Sequence, residues 1–305
     1  MRVLVVANMW PSPEAPYRGI FVSEQVAALR ARGIQVEVLH LSPSLGKARY
    51  LTAPLRVAAT VWRKSIDIVH AHYGLTGAFS RAPQVPLVVT YHGSDVMLSS
   101  QRRFSKIAAR LADANICVSE SVRRTLDTPD AIVIPCGVDT SQFRPLDRAE
   151  ARTRLGIKGD HAIALFGAAP ANPLKAYDLF KAAVDHAGIA HRALVDIKRE
   201  DVPWLMAAVD VLVMTSTHEG SPMVVKEALA CGLPVVSVDV GDVSHRLAGI
   251  KQCHIVERNA ELVARAIKEV VDSPQRITPQ PSIEDFSADG IAEQLETIYT
   301  SLLRR

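Results

Sequence analysis

Two glutamates with seven residues between them stand in the stretch His218-Glu219-Gly220-Ser221-Pro222-Met223-Val224-Val225-Lys226-Glu227. An apolar run ending in the polar residues Thr215, Ser216 and Thr217 precedes it, which puts Glu219 in a loop at the carboxyl edge of a sheet. Glu227 falls inside the helix that follows. A carboxylate is an acceptor with two oxygens, so it can hold neighbouring hydroxyls. One in the loop and one in the helix would serve the hydroxyls of a sugar and of a ribose. The start of that helix, at Gly220, Ser221, Pro222 and Met223, would offer unpaired backbone N–H groups to an anion. On periodicity alone each glutamate reads equally as a helix cap or a solvated charge.

Two other loops could approach a phosphate. Arg18-Gly19-Ile20-Phe21 follows the first strand, where Gly19 lets the backbone come close to a ligand, although the GxGxxG spacing of a dinucleotide site is absent. Phe166-Gly167-Ala168-Ala169 follows a later strand and leads into Asn172-Pro173-Leu174-Lys175. Lys175 could neutralise a diphosphate; taken alone it is a surface lysine. Thr90-Tyr91-His92-Gly93-Ser94-Asp95 lies where a strand gives way to a loop, so His92 could hydrogen-bond a hydroxyl, or be a structural loop residue. His70 and His72 have no Asp or Glu at metal-ligand spacing, so no metal is expected. No G-x-S-x-G elbow for acyl transfer occurs. Cys117, Cys136, Cys231 and Cys253 show no CxxC spacing and read as buried thiols.

The elements that must position these residues follow from hydrophobic patterning. Short apolar runs at 3–7, 36–41, 66–70, 87–90, 116–118 and 132–134 read as buried strands, with a helix over 21–32 ended by Gly33. The pattern restarts with strands at 163–166, 193–196, 209–214 and 234–238. Helices are expected at 177–187, 202–208, 224–230 and 260–271, then a Pro-rich stretch over 274–281 and a last helix over 291–303. Strands alternating with helices mean parallel sheets covered on both faces. The fold class is therefore α/β, with two doubly wound halves and a ligand crevice outside the carboxyl ends of the strands. Phe143-Arg144-Pro145 is read as closing the first half. The halves are drawn at 1–150 and 151–285, with a C-terminal helix, 286–305, packing back toward the first.

Composition narrows the class. Hydrophobic residues make up 48% of the 305 and charged residues 22%, which excludes general disorder. A net charge of +3 gives no argument for nucleic acid. The apolar start stops at Asn8, and no run of 18 apolar residues occurs, so neither secretion nor membrane spanning is expected and a cytoplasmic protein is the default. Arg102, Arg103, Lys106 and Arg110, interleaved with Phe104, Ile107, Ala108 and Leu111, form a basic amphipathic segment that could rest on anionic lipid at the inner face of a membrane, or be a solvated helix face. A similar basic run, Arg49, Arg56, Arg63 and Lys64, surrounds an Ala-rich segment.

Residues 219–227, continued by Cys231-Gly232-Leu233-Pro234-Val235-Val236, resemble the acidic-pair signature of the retaining glycosyltransferases of the large GT-B family that includes sucrose and glycogen synthases. The segments 112–120, 134–145 and Thr90 to Asp95 are similar to that family's pre-linker, inter-domain and sugar-facing histidine stretches. Residues 172–175, 219–223 and 238–243 resemble the teichuronic-acid-type envelope enzymes. The resemblance implies a GT-B fold, two Rossmann-like domains facing each other across a cleft. It implies a nucleotide-diphospho-sugar donor and a saccharide or lipid-linked saccharide acceptor, with no cofactor. Catalysis would rest on His92, Glu219 and Lys175. The donor would be bound by Gly19, Gly167, Asn172, Gly220, Ser221, Pro222, Met223 and Glu227, with Glu227 on the ribose and Glu219 on the sugar. The arginine that the family commonly carries shortly before the lysine is absent from residues 167–175. That absence is the sequence support for an alternative, a catalytically weak paralogue serving as a binding or scaffold subunit; hydrolysis of a nucleotide-sugar is a third reading.

Overall fold

The computed structural model describes residues 1–13, 15–41, 48–278 and 285–304, without the side chains of residues 48 and 49. The end of the Pro-rich stretch, 279–281, lies outside the described residues, as does the side chain of Arg49. Two compact units result: Met1–Gly137 with Asp285–Arg305, and Val138–Glu284.

The first unit alternates β1 (Arg2–Ala7), α1 (Ile20–Ala31), β2 (Gln35–His40), α2 (Ala48–Lys64), β3 (Ile68–His72), α3 (Gly74–Ala78) and β4 (Leu87–Tyr91). It continues through α4 (Ser94–Met97), α5 (Ser99–Leu111), β5 (Ala114–Cys117), α6 (Glu120–Leu126) and β6 (Ile132–Val133). The six strands are parallel in the order β2-β1-β3-β4-β5-β6. Strand order reverses beside β1, so the β1–β3 gap is a topological switch point, where doubly wound sheets leave a crevice at the strands' carboxyl ends. Helix α1 ends as its glycine predicts. Gly33 sits at φ +82°, its N–H donates to Arg30 O (2.9 Å), and the Ile34 N–H donates to Leu29 O (3.1 Å), the two bonds of a Schellman motif.

The second unit runs α7 (Arg148–Arg154), β7 (Ile163–Phe166), α8 (Tyr177–Ala187), β8 (Ala190–Ala193), α9 (Val202–Ala208) and β9 (Val211–Met214). It ends with α10 (Met223–Ala230), β10 (Val235–Val238), α11 (Val243–Leu247), β11 (His254–Val256) and α12 (Ala260–Asp272). Its five parallel strands lie in the order β11-β10-β9-β7-β8, which places the switch point between β7 and β9. Phe166, Val213 and Val236 from the sheet pack against Phe180 and Val184 of α8 and Ile267 of α12. The last helix, α13 (Ala288–Leu303), belongs to the first unit: Ile291, Leu295 and Tyr299 join Val3, Val5, Val26 and Leu29 in one core. Both halves are thus Rossmann-like α/β units, the plan of the GT-B fold.

The expected strand at 193–196 is instead β8 at Ala190–Ala193. Gly188 closes α8 in the left-handed region, so the chain enters the sheet at once. As an edge strand of alternating exposure, β8 carries His191 and Arg192 and lacks a buried apolar run. The strand read at 66–70 lies at Ile68–His72, because α2 continues to Lys64 and the Ile66 N–H still donates to Val61 O (3.1 Å). Phe143-Arg144-Pro145 packs with the second unit, where the Arg199 guanidinium lies 4.4 Å from the centre of the Phe143 ring. Residues 148–154 join that unit through Arg152, which is buried and donates to the carbonyls of Ala208 (2.9 Å), Gly159 (2.9 Å) and His161 (2.8 Å). Among the described residues no helix is long and apolar enough to cross a membrane.

Candidate functional site

The β7–β9 switch point of the second unit gathers the charged residues. Beyond β7, Asn172 Oδ1 accepts the Leu174 N–H (3.1 Å) and so caps the short turn Pro173–Lys175. Thr215, at the end of β9, donates its hydroxyl to the Lys175 and Ala176 carbonyls, 3.0 Å each, and pins that turn across the gap. Arg258 holds the neighbouring strand end by donating to the carbonyls of Thr215 (2.7 Å) and Ser216. The result brings Lys175 Nζ to 2.5 Å from Glu219 Oε1, with the carboxylate only 11% exposed. Gly167 lies under this loop, where a Cβ would stand 3.0 Å from Leu212 Cδ1 and from Val224 Cγ2; its lack of a side chain lets α10 pack closely on the sheet.

Helix α10 carries Glu227 on its buried side. Arg199 Nη2 donates to Glu227 Oε1 (2.7 Å), and the carboxylate side chain is 4% exposed. Each member of the glutamate pair therefore has its own cation, Lys175 for the loop residue and Arg199 for the helix residue. A paired, hydrogen-bonded carboxylate avoids the penalty of burying an isolated charge. At the amino end of α10, Pro222 is the cap and supplies no side-chain hydrogen bond. Among the described residues no acceptor lies on the backbone N–H groups of Gly220, Ser221 or Met223. Beneath them a charged network sets the loop: Lys226 Nζ, fully buried, donates to Ser221 Oγ (3.2 Å), and Ser221 Oγ donates to Asp242 Oδ2 (2.8 Å). Arg246 Nε donates to the same Asp242 oxygen (3.0 Å).

The first unit assembles a second cluster at its own switch point. Gly19, the cap residue of α1, has φ +69°, and a Cβ there would fall 2.5 Å from the Met9 carbonyl carbon. The β1–α1 loop therefore folds back on itself only because this residue is glycine. At the ends of β3 and β4, His72 Nδ1 lies 3.0 Å from His92 Nε2, so one ring donates to the other. His92 Nδ1 lies 3.5 Å from Cys136 Sγ, and the ring is flanked by Phe21 and Tyr73 at centroid distances of 4.8 and 4.7 Å. His70, fully buried one layer below, lies 2.6 Å from Tyr299 Oη and 2.7 Å from Thr90 Oγ1. Burial holds both lower imidazoles neutral: His72 is pushed down to about 3 and His70 well below its usual range.

Asp95 shapes the loop that presents His92. Fully buried, it accepts the N–H groups of Gly74 (2.9 Å), His92 (3.0 Å) and Gly93 (3.0 Å). Burial outweighs those hydrogen bonds and raises its carboxyl to about 6. Cys117, Cys231 and Cys253 take no charged role, since burial pushes the first two thiols up to about 12 and the third up to about 11.

The structure thus brings Lys175, Asn172 and Glu219 together at one switch point, with Ser221 in the loop that leads into α10 and Glu227 on α10 itself, and places Gly19 and His92 on the other unit. Sequence reasoning missed Arg199, Lys226, Asp242, Arg246 and His72 as members of these clusters. The sequence carries one signal of this: Lys226 stands beside Glu227 between the apolar residues Met223-Val224-Val225 and Ala228-Leu229, and a lysine buried there must find a polar partner.

Comparisons with known proteins agree with this architecture. Residues 2–142 match the family described as Glycosyltransferase Family 4, and residues 150–273 match Glycosyl transferases group 1. The chain is 24% identical to TuaC of Bacillus subtilis, a glycosyltransferase named for teichuronic acid biosynthesis, over 88% of each chain. It is 29% identical to the lipopolysaccharide core biosynthesis mannosyltransferase LpsB of Rhizobium meliloti, over 68% of this chain and 71% of that one. Among solved structures, sucrose-phosphate synthase from Thermosynechococcus elongatus superposes with a TM-score of 0.77 at 19% identity, covering 100% of both chains. HepE of Anabaena, in complex with UDP, gives 0.74 at 18% identity over 99% of this chain and 100% of that one. With a family match in each unit and the GT-B plan throughout, this chain belongs to the family 4 and group 1 type of glycosyltransferases.

Proposed function

We propose that this glycosyltransferase moves a sugar from a nucleotide-diphospho-sugar to a saccharide or lipid-linked saccharide acceptor of envelope or exopolysaccharide synthesis, with retention of anomeric configuration. The observation that carries this reading is the Lys175–Glu219 pair at the β7–β9 switch point, beside N–H groups without acceptors at the start of α10. In this reading Glu227 holds the ribose hydroxyls and Glu219 those of the donor sugar. Lys175 and the N–H groups of Gly220, Ser221 and Met223 face the diphosphate, and Gly19, Gly167 and Asn172 shape the loops around it. His92 exchanges its long Cys136 contact for a sugar hydroxyl, with its other nitrogen held by His72.

The bond between the anomeric carbon and the diphosphate oxygen breaks, and the acceptor oxygen bonds to that carbon on the same face. The acceptor proton passes to the departing phosphate oxygen. No protein side chain is bonded to the sugar, so acceleration comes from preorganised charge around the leaving group. HepE structures that hold UDP, UDP with glucose, and UDP-glucose support the donor class, and the names of TuaC and LpsB support the envelope setting. The same reading places the protein in the cytoplasm, attached peripherally to an anionic membrane surface.

A panel of nucleotide-diphospho-sugars tests it, read by thermal shift and by released nucleoside diphosphate. A ligand at a hundred times its dissociation constant stabilises the native state by about 2.7 kcal/mol, enough to move the midpoint by several degrees. One donor is expected to do this and to be consumed when acceptor extract is added. Stabilisation without turnover under any acceptor would instead favour a binding subunit, and no stabilisation by any donor would remove the reading altogether.

A further inference from the structure

We infer that helix α2 is the surface through which this protein docks on an anionic lipid bilayer. The inference rests on the membrane-attached reading above and names the element that makes the attachment.

Most amphipathic helices turn their apolar side to the core, and α2 does so with Tyr50, Ala53 and Val57, all buried. It carries a second apolar stripe on the opposite side. Leu51 is 76% exposed, Leu55 74% and Trp62 84%, and Ala59 between them is exposed as well. At 3.6 residues per turn these four fall within an arc of roughly 80°. Scattered apolar residues on a surface need no explanation, but a continuous stripe ending in an outward-facing tryptophan does.

The polar flank beside the stripe has one sign. Arg56 and Arg63 border it, and the 17-residue helix contains no Asp or Glu. Lys64 stands at the helix end, shared with Glu37 of β2 at 3.2 Å. Apolar stripe, interfacial tryptophan and arginine flank are the three features of a helix that lies in the headgroup plane of an acidic membrane. A single convex helix face with a purely cationic border fits a continuous negative surface better than a protein partner, whose interface would meet it with mixed charge.

The basic helix singled out from the sequence, α5, is built differently. Arg102 donates its guanidinium to the Val96 (2.6 Å) and Met97 (3.0 Å) carbonyls of its own unit, and Arg103 lies over the Phe104 ring at 4.8 Å. Its most exposed apolar side chain is Ile107 at 46%, well short of the α2 residues.

The test is co-sedimentation of the full chain with vesicles of phosphatidylcholine alone and of phosphatidylcholine with about 30% phosphatidylglycerol, at low salt and at about 0.5 M salt. Binding to the acidic vesicles alone is expected, falling with salt. The variant Leu51→Ser/Leu55→Ser/Trp62→Ser and the variant Arg56→Glu/Arg63→Glu are each expected to lose about tenfold or more in partitioning, with unchanged thermal midpoints because these side chains are on the surface. Arg103→Glu/Lys106→Glu on α5 should bind like the parent. If acidic vesicles bind and only the α5 variant loses them, the membrane reading stands and α2 is the wrong surface. If the parent ignores both vesicle types, the inference and the membrane reading fall together. A concentration-dependent dimer in light scattering that the triple variant abolishes would mean a second copy covers this face, and would overturn the inference.

Discussion

Replacing Lys175 by methionine is expected to lower the turnover of sugar transfer about a thousandfold while weakening donor binding by about tenfold or less. The ammonium is held 2.5 Å from Glu219 by a turn that Asn172 caps and Thr215 pins, so its position is set before any donor arrives. Charge on the diphosphate grows only as the glycosidic bond breaks. An interaction that strengthens in that interval appears in kcat more than in KM. Lys175→Arg keeps the charge on a longer, planar head and should recover part of the loss. Glu219→Gln should behave differently, because it removes a ligand of the sugar present before and during bond breaking, and so should raise KM as well as lower kcat. Turnover of Lys175→Met within tenfold of the parent, with its fold intact, would remove this lysine from the reaction.

The second large effect belongs to Asp95. Asp95→Ala deprives three backbone N–H groups of their acceptor at once, those of Gly74 and Gly93 buried and that of His92 half-buried, at about 1–3 kcal/mol for each buried one, a large fraction of a domain's total stability. The midpoint for unfolding should fall by ten degrees or more. Asp95→Asn keeps one oxygen for His92 and Gly93 but turns an N–H toward the Gly74 N–H, and should cost less.

The pH dependence separates the role of Asp95 from that of the histidines. Its carboxyl titrates at about 6 in the folded chain, against 3.8 as the ordinary value. The ionised form is the one that accepts all three N–H groups, so the His92 loop should loosen and transfer should decline as the pH falls through about 6. In stability the same raised value acts the other way, favouring the fold at low pH and losing that contribution between about 4 and 6. His72, at about 3 against an ordinary 6.5, and His70, also depressed, oppose it. Their contribution is fully present above 6.5 and is lost as the pH falls toward 3, because the unfolded chain takes up protons that the folded chain refuses. With two histidines against one aspartate, net stability should decline on acidification below 6.5. In Asp95→Asn the activity limb near 6 should vanish while the stability slope set by the histidines persists. An unchanged activity limb in that variant would assign it elsewhere.

How legible the chain was depends on where each residue sits in the sheets. Central strands such as β1, β4, β7 and β9 are buried runs of Val, Leu and Ile, and their patterning shows them directly. The edge strands β8 and β11 are three or four residues long and partly exposed, so periodicity placed one late and passed over the other. The glutamate block was readable because loop and helix residues were close in sequence and bracketed by an apolar strand. The partners of those glutamates were not. Arg199 is 28 residues from Glu227, and Lys175 is 44 from Glu219. Only the parallel strand order brings such residues to one sheet edge, and no local pattern encodes that order. The same holds for His72, which meets His92 because β3 and β4 are neighbours. The basic residues of α5 stood out as a run, yet spacing could not show that Arg102 is spent on carbonyls of its own unit, or that the outer face of α2 is apolar.

The most direct measurement is a calorimetric titration of the nucleoside diphosphate from the best-binding donor into the parent chain and into Glu227→Gln, paired with circular dichroism of both. Micromolar binding by the parent is expected, with a loss of about thirtyfold or more in the variant, roughly 2 kcal/mol, since a buried hydrogen-bonding carboxylate would be removed from the ribose. Equal affinity in two well-folded proteins would contradict this expectation.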